Sequence, residues 1–150
     1  MISIVNVLFE QKDIQVDPSA SRKVERALSV KLPSDYANFL NKFGDFDGEG
    51  VQLLGTWKGD KYRSHPSVVF GTIAERKYDL NDEYVVIHVS DEYYDVINTV
   101  DGKVYQMPTG SNVKPKQLSK SFKDYLIRIF APSAPSPADK KQLLSIARQI

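Results

Sequence analysis

At 150 residues with 41% hydrophobic content, the chain is long enough for one domain that buries well over half of the surface its unfolded form exposes. It has no cysteine, which excludes disulfides and thiolate metal sites and requires no oxidising compartment. The net charge of +1 joins unlike parts: residues 1–102 hold 11 Lys and Arg against 17 Asp and Glu, a balance of −6, and residues 103–150 hold 9 against 2, a balance of +7.

Such a split either makes an acidic and a basic surface on one body, or interleaves in space and cancels. The opening MISIVNVLFE has no basic leader, and its apolar run is interrupted by Ser3 and Asn6. Neither a secretory signal nor a membrane span is expected, and a soluble cytoplasmic protein is.

Pro18, Ser19 and Ser21 supply a helix start, and Val24 and Leu28 then recur at helical spacing until Val30-Lys31-Leu32-Pro33 ends the helix. Pro33 holds Leu32 extended and opens a second helix, with Asp35 near its positive end. Tyr36, Phe39, Leu40 and Phe43 form one apolar face of that helix, which Gly44 terminates. The alternating glycines and acids from Gly44 to Gly50 then read as a loop. Val51-Gln52-Leu53-Leu54-Gly55 and Ser67-Val68-Val69-Phe70-Gly71 read as short strands.

The segments Tyr84-Val85-Val86-Ile87-His88-Val89 and Tyr93-Tyr94-Asp95-Val96-Ile97-Asn98-Thr99-Val100 are rich in β-branched and aromatic residues, and Ser90-Asp91-Glu92 joins them as a hairpin. Asp101-Gly102, the dipeptide that type I′ turns prefer, leads to a third strand, Lys103-Val104-Tyr105-Gln106-Met107, stopped by Pro108. Ser119 and Ser121 start a helix with an apolar stripe of Phe122, Tyr125, Leu126, Ile129 and Phe130, expected to pack on the sheet. Residues 131–138 are too rich in proline for a helix and read as a semi-rigid spacer. Residues 139–150 form a short amphipathic helix, with Leu143, Ile146, Ala147 and Ile150 inward and Lys140, Lys141 and Arg148 outward. The expected class is α+β: a single domain in residues 1–130, with a largely antiparallel sheet and flanking helices.

The order of "VERALSVKLPSDYANFLNKFGDFDG", "VQLLGT", "EYVVIHVSDEYYDVINTVDGKVYQM" and "LSKSFKDYLIRI" resembles the SUKH superfamily, the Smi/Knr-type domain found among bacterial immunity proteins. Where many members place a glycine-rich turn before the tyrosine strand, this chain has Ser90-Asp91-Glu92. The spacer and tail helix lie outside the resemblance. The resemblance implies a non-enzymatic protein that binds a cognate toxin, often a nuclease, in the cytoplasm of the producing cell. Eukaryotic relatives act instead in cell-wall synthesis and signalling, so a regulatory scaffold for endogenous partners is the alternative.

The residues themselves offer little chemistry. Only His65 and His88 are neutral-pH bases by default, and His88, alternating with Val89 in a strand, reads as structural. No Cys/His pair and no G-x-S-x-G elbow is present. Gly44-Asp45-Phe46-Asp47-Gly48-Glu49-Gly50 alternates oxygen ligands but lacks the bidentate Glu of a calcium loop, and its carboxylates would repel phosphate. No metal, cofactor or catalytic residue is assigned.

A binding surface needs fewer assumptions. Between Tyr78 and Gly102 there is no Lys or Arg, while seven acids accumulate among tyrosines. Asp91, Glu92, Tyr93 and Asp95, with Asp45, Asp47 and Glu49, are the candidate partner-binding residues. An acidic face would speed encounter with the phosphate-holding cleft of a nuclease and occupy it; the same acids would otherwise serve to keep a strand edge soluble. Trp57 is either a hot-spot anchor or a lid over the core. Lys114, Lys116, Lys120, Lys123, Arg128, Lys140 and Lys141 carry no aromatic platform or recognition-helix motif, so they read as solvated surface rather than a nucleic-acid site.

Overall fold

A computed structural model describes residues 18–43, 46–48, 51–53, 68–90, 92–108, 114–133 and 136–150. The described elements are α1 (Ala20–Leu28), α2 (Ser34–Phe43), β1 (Phe46–Gly48), β2 (Val51–Leu53), α3 (Val68–Arg76), β3 (Tyr84–Val89), β4 (Tyr93–Asn98), β5 (Val104–Pro108), β6 (Lys116–Ser119), α4 (Phe122–Phe130) and α5 (Pro137–Arg148). The strands form one antiparallel sheet in the order β1-β2-β3-β4-β5-β6. The class is α+β, as the sequence predicts.

The turn at Pro33 behaves as read. Ser29 closes α1 in the left-handed region with φ 56°, and the Glu25 carboxylate accepts the Leu32 N–H at 2.8 Å. Asp35 has two tasks in the α2 first turn: Oδ1 accepts from the Tyr36 N–H at 2.8 Å, and Oδ2 accepts from the Lys123 N–H at 3.1 Å, in the first turn of α4. One carboxylate thus serves the positive ends of two helices distant in sequence. Beneath it, Phe122 packs against Tyr36 and Phe39 with ring centroids 4.9 and 5.0 Å apart, and all three side chains are fully enclosed. Each such aromatic contributes roughly 1.5–3 kcal/mol by burial.

The helices α3 and α4 cover opposite faces of the sheet. Burial, and then the Glu75 carboxylate of α3, raises the Tyr94 phenol above its ordinary value, whereas the next residue, Asp95, bonds Tyr125 of α4. Successive strand residues point to opposite faces.

The structure corrects several sequence expectations. The Val-Val-Phe-Gly segment is the start of α3, not a strand: Val68 and Thr72, four apart, are both buried, and packing overrides the β preference of valine and phenylalanine. The Thr72 hydroxyl accepts from the Val86 N–H at 2.9 Å, where the β3–β4 register shifts between Val86 and His88. Residues 46–48 are a short strand paired with β2, Phe46 opposite Leu53, rather than loop. The β4–β5 turn is not type I′, which needs positive φ at both central residues; in it only Gly102 is left-handed, with φ 76°. The Asn98 side chain instead accepts from the Val100 and Asp101 N–H groups, and the Gly102 N–H reaches the Asn98 carbonyl at 2.8 Å. β6, whose sequence KQLS has no strand signature, pairs with β5 as an edge.

The tail is shorter in spacer and more deeply engaged than its composition suggests. Ala131–Ser133 form a 3-10 turn directly after α4. α5 begins at Pro137, with the Ser136 side chain accepting from the Asp139 N–H, the arrangement a first-turn proline favours. Leu143, Ile146, Ala147 and Ile150 are buried, and the Asn38 side chain of α2 donates to the Ile150 carbonyl at 3.2 Å.

Two substitutions test these joints by urea unfolding. Asp35→Ala is expected to cost about 1–2 kcal/mol through two lost cap bonds. Ile146→Ala is expected to cost about 2–4 kcal/mol, the value for a core position; no change would mean that α5 is only an accessory.

Candidate functional site

In a meander, alternate turns share one end of the sheet. β2 runs antiparallel to β3 with Leu53 opposite His88, so Gly48 and Val51, paired at the end of the β1–β2 hairpin, lie towards Ser90. The acid-bearing segments around Asp47 and Glu92 therefore belong to the same end. At that end Ser90 staples its turn: its N–H and hydroxyl both donate to the Tyr93 carbonyl, at 2.8 and 2.9 Å, and its hydroxyl oxygen accepts from the Tyr93 N–H at 3.2 Å. Glu92 is exposed and Tyr93 half-buried. The Tyr93 ring stacks on His88 with centroids 6.4 Å apart and planes 14° from parallel. Asp45, Glu49, Trp57, Asp91 and His65 lie outside the described residues, and Asp47 is placed by its strand position alone.

Asp95 departs from the expected surface. It is only 4% exposed, because its place in β4 turns the side chain under α4, where Oδ2 accepts from the Tyr125 hydroxyl at 2.7 Å. Burial raises the Asp95 carboxyl above its ordinary value, against the opposing pull of the Tyr125 bond, His88 and Arg128. Burial, and then the Asp95 carboxylate it faces, pushes the Tyr125 phenol well up, so it stays a donor through neutral pH. Asp95 is thus enclosed in the core in this structure rather than on the surface expected for it.

The acid-rich stretch of residues 79–101 is split by the length of the strands between its members. Asp79, Asp82, Glu83 and Asp101 sit at the opposite end from Glu92, separated by six-residue strands of about 20 Å. There the Glu83 carbonyl accepts from both the N–H and the hydroxyl of Thr99, each at 2.8 Å, which ties the loop before β3 to the β4–β5 turn. The Asp101 carboxylate accepts from the Lys103 N–H and from the Tyr105 hydroxyl at 2.7 Å, and that bond pushes the Tyr105 phenol up to about 12. Two apolar groups stand out near these acids, Tyr78 at 82% and Val100 at 84% exposure. Neither was singled out from sequence, since a lone tyrosine after a misread helix and a valine at a strand end carry no periodic signal.

Of the basic segment 103–150, strands β5 and β6 lie on one side of the sheet, whereas α4 reaches back to β4 through Tyr125 and α5 packs on α4 and is bonded by Asn38 of α2. Lys114, Lys116, Lys120, Arg128, Lys140, Lys141 and Arg148 are exposed, and Arg128 also donates to the Leu118 carbonyl of the β6 edge. Among the described residues no three His, Asp or Glu side chains gather as a metal site, and no helix is long and apolar enough to cross a membrane.

A family model described as SMI1-KNR4 cell-wall, SUKH_5, matches residues 5–131. The chain belongs to the SUKH family. The SUKH match takes in α1 to α4 and the whole sheet, and leaves α5 outside it. Comparison with curated proteins returns no significant match.

Tyr125→Phe removes the hydrogen bond that the Tyr125 hydroxyl donates to the buried Asp95 carboxylate and is expected to cost about 1–3 kcal/mol at neutral pH in urea unfolding. A cost near zero would mean that this carboxylate is solvated rather than buried.

Proposed function

We propose that this SUKH protein is an immunity-type binding protein, which blocks a cognate bacterial toxin in the cytoplasm by direct contact and not by turnover of a substrate. The observation that carries the reading is the shared end of the β1–β2 and β3–β4 hairpins, where acid-bearing segments flank a tyrosine held flat against His88. A stapled turn loses little freedom on binding, and a half-buried tyrosine beside exposed carboxylate suits a basic, partly apolar partner surface. The phosphate-binding cleft of a nuclease toxin has that character. Asp45, Asp47, Glu49, Asp91, Glu92 and Tyr93 are the contact residues proposed, with Trp57 as a further anchor. The exposed lysines and arginines of the basic segment 103–150 are read as solvated surface rather than a nucleic-acid site.

The family's cell-wall description favours a second reading, a regulator that binds endogenous partners. Co-purification with the product of the adjacent reading frame separates the two: recovery of a toxin domain supports immunity, and recovery of cell-wall enzymes alone supports regulation. With the toxin in hand, Asp91→Lys combined with Glu92→Lys is expected to weaken binding by about tenfold or more at low salt, with an unchanged Tm. Unchanged affinity by calorimetry would remove this end of the sheet from the interface.

A further inference from the structure

Under α4 the sheet encloses two polar atoms that bond nothing. Asp95 Oδ1 and His88 Nδ1 are both buried without a hydrogen-bond partner, and their residues stand directly opposite one another on β4 and β3. Opposite residues of an antiparallel pair share a face, with Cβ atoms about 4.5–5.5 Å apart. The shared face is confirmed by Tyr93, two residues before Asp95, whose ring stacks on His88. The register shift just before His88 re-aims this part of β3. Neither atom makes a hydrogen bond to the other, so the pair stands open in this structure.

We propose that Asp95 and His88 form a proton-operated latch across the β3–β4 hairpin: one proton taken up from solvent is shared between Oδ1 and Nδ1 and bonds the two strands beneath the stapled turn. The proton comes from water and returns to it, and no other bond changes. The closed pair is a charge-assisted bond in a water-poor site, stronger than a bond between neutral groups. The latch rests on the hairpin geometry alone and holds whether or not the partner is a toxin.

The surroundings set its working range. Tyr125 and Arg128 face the carboxylate from α4, Tyr36 lies close enough to act on Tyr125, Tyr93 covers His88 from β4, and the residue opposite Asp95 on β5 is the uncharged Gln106. Burial raises Asp95 above 3.8 and lowers His88 below 6.5. The two have opposite effects on stability. The folded chain holds the Asp95 proton more firmly than the unfolded chain, a contribution that is full below 3.8 and lost as pH rises through the folded value. The unfolded chain protonates His88 first, which removes stability as pH falls below 6.5. One shared proton offsets the second effect with the first.

The test is an NMR titration of the full chain between about pH 4 and pH 8, following the His88 ring nitrogens and the Asp95 carboxyl carbon. In the unmodified protein both signals are expected to move with one common midpoint. In Asp95→Asn, which keeps an acceptor for Tyr125, the His88 midpoint should fall by about one unit, a tenfold loss of proton affinity. In His88→Gln the Asp95 midpoint should rise. Hydrogen exchange at the Ser90 and Tyr93 amides, corrected for its intrinsic pH dependence, should slow on acidification in the unmodified protein and not in either variant. An unchanged His88 midpoint in Asp95→Asn, or hairpin protection that is flat across the titration, overturns the latch. If Asp95→Asn does not fold, the His88→Gln arm decides in the same way.

Discussion

The organisation of this protein follows from one constraint: each strand pairs with the strand before it. An antiparallel meander cannot scatter its turns, since odd-numbered connections collect at one end and even-numbered ones at the other. It also lays the strands across the sheet in sequence order. That the acid-bearing β1–β2 and β3–β4 turns share one end is therefore a property of topology.

Two carboxylates hold this arrangement to its helices by different means. Asp35 is half-buried and works through backbone N–H groups at two helix starts, a use that fixes the angle between α2 and α4 where their aromatic rings meet. Asp95 is enclosed and works through a single phenol, which ties the centre of the sheet to the same α4. The first is stabilising by its geometry; the second carries a carboxyl group into the interior, where the Tyr125 hydroxyl donates to it. The polar pair at the hairpin thus leaves two buried atoms without a hydrogen-bond partner, beside the β3–β4 turn of the candidate binding end.

Much of this was legible in the sequence, for physical reasons that can be named. The helical spacing of Tyr36, Phe39, Leu40 and Phe43, the Pro33 junction, the β3–β4 hairpin and the stripe headed by Phe122 all obey local periodicity, and all are present. α3 was not legible because Val68, Val69 and Phe70 prefer strands in isolation, and only the long-range contact of Thr72 with the sheet reveals the helical period. β6 was hidden because an edge strand needs no apolar alternation. Asp95 is buried because both faces of β4 are covered, with Tyr94 to Asn98 all enclosed, and a count of acids does not show that a central strand is buried on both sides; Glu92 is exposed because it precedes the strand. Of the acids read from composition as one surface, Glu92 is exposed in the turn and Asp95 is enclosed in the core.

Helix α5 lies beyond the family match, yet its apolar side chains complete the interior beside α2 and α4. Where similarity ends and where cooperative structure ends are different places in this chain. Removing this helix would uncover apolar surface on α4, against which it packs, so the tail serves the chain as a built-in cover for part of its interior.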